Sequence, residues 1–307
     1  MTAIYHDASM SDDERRKLIY QGNLFTYSPI PASQEFCEFA AQLIAETFHP
    51  LDPQLAQDHL PVEEFAGLLA VLKPKFIHHP KSKEMIKQIL VEIGCDPSKT
   101  YFDVPRMRTS THSGFLTSGI SYAFHPHRDT WYSAPACQLN WWIPIYPIQA
   151  ENIMAFHPYY WDHPLKNGSS EYNYFEWNKE SRKDAAKHIK SDTRKQPKPE
   201  EPVELDPQIR IVTPPGGILI FSAAQLHSTV PNTTKKTRFS IDFRTVHLED
   251  VRQHAGAHNI DSACTGTTLR DYLRCTDMER IPEELVKEYD PNAPDLNTQV
   301  LSSEPHH

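Results

Sequence analysis

A chain of 307 residues with 23% charged and 39% hydrophobic residues has the balance of a folded protein and can bury a large core, which excludes a disordered or fibrous chain. Its net charge of −9 argues against nucleic acid or an anionic membrane surface as partner, so an anionic ligand needs a local cationic pocket. Five scattered cysteines (Cys37, Cys95, Cys137, Cys264, Cys275) with no C-x-x-C pair offer neither a zinc ribbon nor a disulfide framework, and they suit a reducing compartment. Residues 1–12 show no basic run followed by an apolar one, and no stretch approaches the ~18 apolar residues of a membrane span. A cytoplasmic protein with no membrane span is the expectation.

Ser11-Asp12-Asp13-Glu14 reads as a capping box opening a short helix, with Gly22 ending it. From Ser33, the apolar residues Phe36, Phe39, Ala40, Leu43, Ile44 and Phe48 recur at helical spacing up to His49-Pro50. A third helix follows Pro61 (Val62, Phe65, Leu68, Leu69, Leu72), and a fourth (Met85, Ile86, Ile89, Leu90, Ile93) stops at Gly94. After Tyr101 the pattern changes to short strands punctuated by Pro and Gly: 101–110, 118–124, 138–145, 152–156, 209–212, 218–221 and 238–246. Helices return around 268–289, before a loose tail. The expected architecture is mainly β with flanking α, a sandwich or jelly roll with helices over one sheet. A single domain over 1–307 is expected, with a helical preface (1–100), a β core (101–247), an insert (165–206), and a C-terminal extension with a tail (248–307).

Alternation along 137–143 puts Cys137, Leu139, Trp141 and Ile143 on one face and Gln138, Asn140 and Trp142 on the other. The apolar face is expected under the helices, and the polar one against a cavity. The insert begins at Asn167-Gly168 and carries Tyr172, Tyr174, Phe175 and Trp177, which either cover the site as a lid or anchor the insert to the body.

His-x-Asp/Glu by itself is weak. With 17 histidines and 40 acidic residues, about two such pairs are expected by chance, and two are present, His127-Arg128-Asp129 and His247-Leu248-Glu249. Context favours the first, because i and i+2 on an extended segment share a face and can reach one metal. His227 is the candidate third ligand. It follows the turn and apolar strand Pro214-Pro215-Gly216-Gly217-Ile218-Leu219-Ile220-Phe221 and precedes the turn Val230-Pro231-Asn232. Two imidazoles and one carboxylate with open positions match the facial triad of non-haem iron(II) oxygenases. His125 shares the face as a supporting residue, Arg128 points away, and His254 and His258 read as surface residues. Arg238, with Ser240 at i+2, sits on an apolar strand where a guanidinium is costly without an anion, and Asp242 on the same face is the alternative partner.

Taken in order, His127-Arg128-Asp129, Asn152-Ile153-Met154-Ala155-Phe156-His157-Pro158, Pro215-Gly216-Gly217-Ile218-Leu219-Ile220-Phe221, His227 and Arg238-Phe239-Ser240 resemble the Fe(II)/2-oxoglutarate-dependent oxygenase superfamily, nearest its phytanoyl-CoA dioxygenase-like branch. The resemblance covers about residues 101–247. It implies a double-stranded β-helix, with His127, Asp129 and His227 as iron ligands and Arg238 with Ser240 on the distal carboxylate of 2-oxoglutarate. Gln138 is expected beside the co-substrate. The implied reaction consumes 2-oxoglutarate and O2, releases succinate and CO2, and hydroxylates a C–H bond. Related halogenases lack the ligating carboxylate, so Asp129 favours hydroxylation. The chain departs from many relatives at His157-Pro158-Tyr159-Tyr160 and in its 100-residue spacing from His127 to His227, which the insert explains.

Candidate substrate contacts are Asn140, Trp142, Trp131, Arg106, Arg108, Tyr122 and Arg244. They suit a polar, anionic small molecule, such as a sugar acid of the Kdo type or an amino-acid-derived metabolite. The competing readings are a cupin-like protein that binds a metal or metabolite without turnover, and a β-sandwich interaction module. The sequence does not fix the oligomeric state, with a homodimer among the options.

Overall fold

Ser11 opens α1 (Asp12–Ile19) through the expected capping box: its hydroxyl accepts the Glu14 N–H (3.2 Å), and the Glu14 carboxylate accepts the Ser11 N–H (3.0 Å). Gly22 ends the turn at φ +89°, where an added Cβ would stand 2.6 Å from the Trp161 ring, so glycine is required twice over. The computed structural model describes residues 2–117, 125–180 and 196–292.

Three longer helices follow, α2 (Pro31–Phe48), α3 (Val62–His78) and α4 (Pro80–Glu92). Each buries one stripe: Phe36, Ala40 and Ile44 from α2; Phe65, Leu69 and Leu72 from α3; Ile86, Ile89 and Leu90 from α4. These stripes close on Trp141, Ile143, Ile220, Phe239, Ile241 and Phe243 in one continuous core. A fully buried Phe or Ile contributes about 1.5–3 kcal/mol, so this interface, more than helix propensity, holds the preface in place.

The strands are β1 (Ile4–His6), β2 (Leu24–Tyr27), β3 (Thr100–Phe102), β4 (Arg106–Ser110), β5 (Leu139–Pro144), β6 (Met154–Phe156), β7 (Ile209–Arg210), β8 (Ile218–Ser222), β9 (His227–Thr229), β10 (Arg238–His247) and β11 (Leu273–Arg274). The large sheet runs β1-β2-β8-β5-β10-β3-β11, with β4 also paired to β10. The small sheet runs β7-β6-β9 and is continued by an antiparallel bridge from His227 to His127. From β4 the chain passes to His127 in the small sheet, back to β5, across to β6 and β7, back to β8, across to β9, and back to β10. That winding is a double-stranded β-helix. The facing sheets meet through Trp142, Leu219 and Phe221 on one side and Phe156 and Ile153 on the other.

The preface is not purely helical. β1 and β2 extend the large sheet, with Phe25 opposite Ile220, but at three and four residues they are too short to show a period. The helix expected over 268–289 is broken into a 3-10 turn (Leu269–Asp271), β11 and α7 (Glu283–Tyr289), because β11 pairs with β3 and Cys275 N–H bonds the Thr100 carbonyl. The strand expected at 101–110 is interrupted after Phe102, where Asp103 N–H bonds the Arg244 carbonyl (3.0 Å). The insert supplies α5 (Tyr174–Glu180), and α6 (Leu248–Arg252) follows β10. The strand expected at 118–124, with Tyr122, and the tail lie outside the described residues. No helix among the described residues is long and apolar enough to cross a membrane.

Candidate active site

His127 and His227 are locked opposite each other by reciprocal backbone bonds, each N–H to the other's carbonyl at 3.0 Å. Arg128 between His127 and Asp129 is extended (φ −109°, ψ 142°), so the two side chains share a side although Asp129 begins a 3-10 turn (Asp129–Tyr132). Donor atoms of His127, Asp129 and His227 all lie within 4.8 Å of one another, and all three residues are buried. The Nδ1 atoms are spoken for: that of His127 bonds the His125 carbonyl (2.9 Å) and that of His227 the Gln225 carbonyl (3.0 Å). A carbonyl only accepts, so Nδ1 carries the proton in each ring and Nε2 keeps its lone pair. Burial and the neighbouring His127 push His227 down to about 3, which keeps that imidazole neutral.

Asp129 offers one oxygen and commits the other. Its Oδ2 accepts from Asn140 Nδ2 (2.9 Å) and Gln138 Nε2 (3.3 Å), and Arg244 Nε lies 3.6 Å away. Gln138 is itself fixed by the Tyr272 hydroxyl on its Oε1 (2.7 Å). The Oδ1 atom stands 3.5 Å from His127 Nε2. Burial would raise the Asp129 carboxyl, but the nearby Arg244 guanidinium holds it well below the usual carboxylate range. Two imidazole lone pairs and an ionised oxygen facing one point repel each other unless a cation stands between them. The donor set therefore fits a divalent metal with open positions.

Arg128 points away from this centre, as expected. It donates to Asp261 Oδ2 through Nε (3.1 Å) and to the carbonyls of Ala224 (2.6 Å) and Tyr160. Trp131, expected at the substrate, is instead fully buried: its Nε1 donates to Asp261 Oδ1 (2.7 Å), and its ring packs with Tyr160, Leu165 and Leu226. The 3-10 turn after Asp129, closed by Ser133 at φ +64°, carries the indole away from the cavity.

The metal-side residues and Arg238 line one cavity of about 310 Å³. Arg238 donates Nη1 to the Asn152 carbonyl (2.9 Å) and lies 5.6 Å above the Trp142 ring. Its Nε and the Ser240 hydroxyl, both buried, have no hydrogen-bond partner among the described residues. Burial pushes the Arg238 guanidinium down to about 10, with Arg108 adding to the effect. Asp242 does not serve as its partner, because both Asp242 oxygens accept from Arg108 (2.7 and 3.1 Å). An unspent donor pair of this kind fits an incoming carboxylate.

Arg106, Arg108, Arg244, Gln138, Asn140 and Trp142 all line the cavity, whereas Trp131 does not. Gln138 and Asn140, expected at co-substrate and substrate, use their amides to hold Asp129. The insert's aromatics do both jobs open to them. Tyr172 and Trp177 line the cavity, while the Tyr174 hydroxyl bonds Asp271 and the Tyr172 carbonyl accepts from Thr265 N–H (3.0 Å). Lys73, Tyr272 and Asp261 carry no local signal in the sequence, since each reaches the site's surroundings from a distant segment, while Tyr132 ends the turn that Asp129 begins and Asp103 lies three residues before Arg106. His247 and Glu249 join no group of metal-ligating side chains among the described residues.

No protein-family model and no curated protein matches the sequence. In structure the chain is similar to EvdO2 from Micromonospora carbonacea var. aurantiaca (TM-score 0.46, 13% identity, 79% of this chain and 93% of that one), a protein also crystallised with 2-oxoglutarate. It is similar too to SnoN, a non-heme alpha ketoglutarate dependent epimerase from nogalamycin biosynthesis (TM-score 0.38, 13% identity, 77% and 84%). A third similar structure is AviO1 from Streptomyces viridochromogenes Tue57 (TM-score 0.38, 10% identity, 78% and 96%). These likenesses are distant, and the strand order itself carries the assignment of the fold.

Proposed function

We propose that this protein is a non-haem Fe(II)- and 2-oxoglutarate-dependent oxygenase that hydroxylates an unactivated C–H bond of a polar small molecule, with release of succinate and CO2. The observation that carries the reading is a pairing within one cavity. Two imidazole nitrogens and a carboxylate oxygen face one point, and the buried Arg238 guanidinium that lines the same cavity offers an unspent donor to an acid, with the unpartnered Ser240 hydroxyl buried two residues on. His127, Asp129 and His227 would hold the iron, which supplies the oxidising chemistry when it is bound with O2 and the keto acid. Asp129 would offer Oδ1 to the metal, because Oδ2 is occupied by Asn140 and Gln138. Three protein ligands leave positions for a keto acid and O2. Arg238 and Ser240 hold the far carboxylate of 2-oxoglutarate, with Trp142 as the wall beneath the guanidinium. Tyr132, Tyr172 and Trp177 line the cavity, where they would limit the access of water around the molecule to be oxidised.

An anaerobic titration with Fe(II) and 2-oxoglutarate tests this through the weak visible charge-transfer band of the chelate. Wild type is expected to form the band, His227→Ala to form none, and Arg238→Ala to need far more 2-oxoglutarate. A protein that binds Fe(II) without forming the band, or that forms it and never releases succinate with any polar acid screened, is a metal- or metabolite-binding protein instead.

A further inference from the structure

Besides Arg238, the cavity wall carries two guanidiniums that share a counter-ion, Arg106 of β4 and Arg244 of β10. Arg106 Nη1 donates to Asp103 Oδ2 (2.5 Å), and Arg244 Nη1 lies 3.5 Å from the same oxygen. The other Asp103 oxygen accepts the Arg244 backbone N–H (2.8 Å), and this carboxylate is only 2% exposed. Arg108 beside them differs, because it takes both Asp242 oxygens in a two-bond pair, with Arg106 and Arg244 only within electrostatic reach of that carboxylate. Arg244 Nε also stands 3.6 Å from Asp129 Oδ2, but that carboxylate serves the metal centre.

Across this wall four guanidiniums (Arg106, Arg108, Arg238, Arg244) face three carboxylates (Asp103, Asp129, Asp242), and a positive charge is left over. Among the described residues, Arg106 and Arg244 both hydrogen-bond through Nη1, so most of their donors are unspent. They keep 19% and 22% exposure, and both line the cavity. Guanidinium edges match carboxylate and phosphate oxygens in pairs, which a lysine or a neutral amide does not.

We infer that Arg106 and Arg244 bind an anionic group, a carboxylate or a phosphate, on the molecule that is oxidised. This rests on the oxygenase reading of the site. Arg244 reaches from Asp103 to Asp129, so the anion would be held at a fixed offset from the His127–Asp129–His227 centre and would set which C–H bond faces it. The insert closes the other side: Tyr174 stands within electrostatic reach of Arg106, and its hydroxyl is held by Asp271. Its ring would cover the uncharged body of the substrate.

The test is calorimetry on protein loaded anaerobically with Fe(II) and 2-oxoglutarate, and again on metal-free protein. The probes are D-glucuronate, D-gluconate and D-glucose 6-phosphate, with D-glucose as the uncharged control. At least one anion is expected to bind about tenfold or more tighter than glucose, and the preferred anion separates carboxylate from phosphate. Arg106→Gln and Arg244→Gln should each lose about tenfold or more of that binding, and Arg106→Lys less. The charge-transfer band of Arg106→Gln reports that this variant is folded and loaded. No anion binding above glucose, or anion binding untouched in both glutamine variants, overturns the inference. A missing band in wild type with Arg106-dependent anion binding intact overturns the oxygenase reading and supports the anion site.

Discussion

The two ends of the cavity differ in how completely the protein satisfies its own polar atoms. At the metal end every atom that does not face the common point is tied: both Nδ1 atoms to carbonyls, Asp129 Oδ2 to two amides, and Gln138 in turn to Tyr272. At the Arg238 end, a guanidinium nitrogen and a hydroxyl are buried with nothing to bond among the described residues. A closed network fixes geometry, as ligands to a metal require, because a small displacement of one donor weakens all three bonds. An open one costs stability and persists where a ligand completes it. On the proposed function, the first end serves as a rigid socket and the second as a receptor.

The largest effect is expected from breaking the support of the closed end. Asp261 is buried (side chain 4% exposed) and accepts from Arg128 Nε, Trp131 Nε1 and Leu165 N–H (3.1, 2.7 and 3.0 Å). Arg128 and Trp131 flank Asp129, so this carboxylate from the C-terminal segment pins the turn that presents a metal ligand. Asp261→Ala leaves the Arg128 guanidinium (side chain 1% exposed) without its counter-charge, and chemical denaturation should show a loss of about 3–5 kcal/mol. Asp261→Asn keeps an acceptor and should lose less. Equal stability of wild type and the alanine variant would mean that the turn holds itself.

The open end should behave in the opposite sense. Arg238→Met removes a buried charge that only one hydrogen bond to Asn152 compensates among the described residues, so stability without ligand should be unchanged or higher. Binding of 2-oxoglutarate should weaken by about a hundredfold, as expected for losing one or two charge-assisted bonds. Fe(II) affinity in the absence of the keto acid should stay at the wild-type value. A fall in stability together with unchanged 2-oxoglutarate affinity would make Arg238 a structural residue and remove the receptor end from the comparison.

What the sequence discloses follows the same division. His127, Asp129, His227 and Arg238 are legible because each sits on a short strand or turn whose pattern of Pro, Gly and apolar residues is local. The polar face of β5 is legible for the same reason, although its period tells only that Gln138 and Asn140 face the cavity, not that Asp129 claims their amides. Trp131, two residues past Asp129, reads as a pocket wall until the 3-10 turn directs it to Asp261. Asp261 and Tyr272 leave no trace in any window, since they reach Arg128, Trp131 and Gln138 across more than 100 residues, and Asp103 shows locally only its Arg106 contact, not its bond to Arg244. In the fold, amphipathic stripes announce α2, α3 and α4, while β1 and β2 owe their existence to the exposed edge of β8 rather than to their own sequences. Local chemistry thus marks the ligands, and the tertiary network decides which neighbours hold them.

The smallest expected effect is also the finest test of the closed end. Asn140 Nδ2 is the nearest donor to Asp129 Oδ2 at 2.9 Å, and Gln138 Nε2 stands further off at 3.3 Å while also donating to Asn140 Oδ1 (2.8 Å). Removing either leaves Asp129 ionised, because Arg244 still favours the charge, but frees the carboxylate to rotate toward two-oxygen coordination. Loss of such a supporting group commonly weakens metal binding by about 10–100-fold. Asn140→Ala should fall in that range. Gln138→Leu should lie at its lower edge, since Asn140 remains in place, although the Tyr272 hydroxyl is then left buried without its acceptor. Measured as Fe(II) affinity under anaerobic conditions, the order Asn140→Ala above Gln138→Leu supports a carboxylate held in one-oxygen geometry by its nearest amide. The reverse order would shift that role to the Tyr272–Gln138 relay. No loss in either variant would mean that Arg244 alone orients Asp129, and the metal end would then be no more closed than the other.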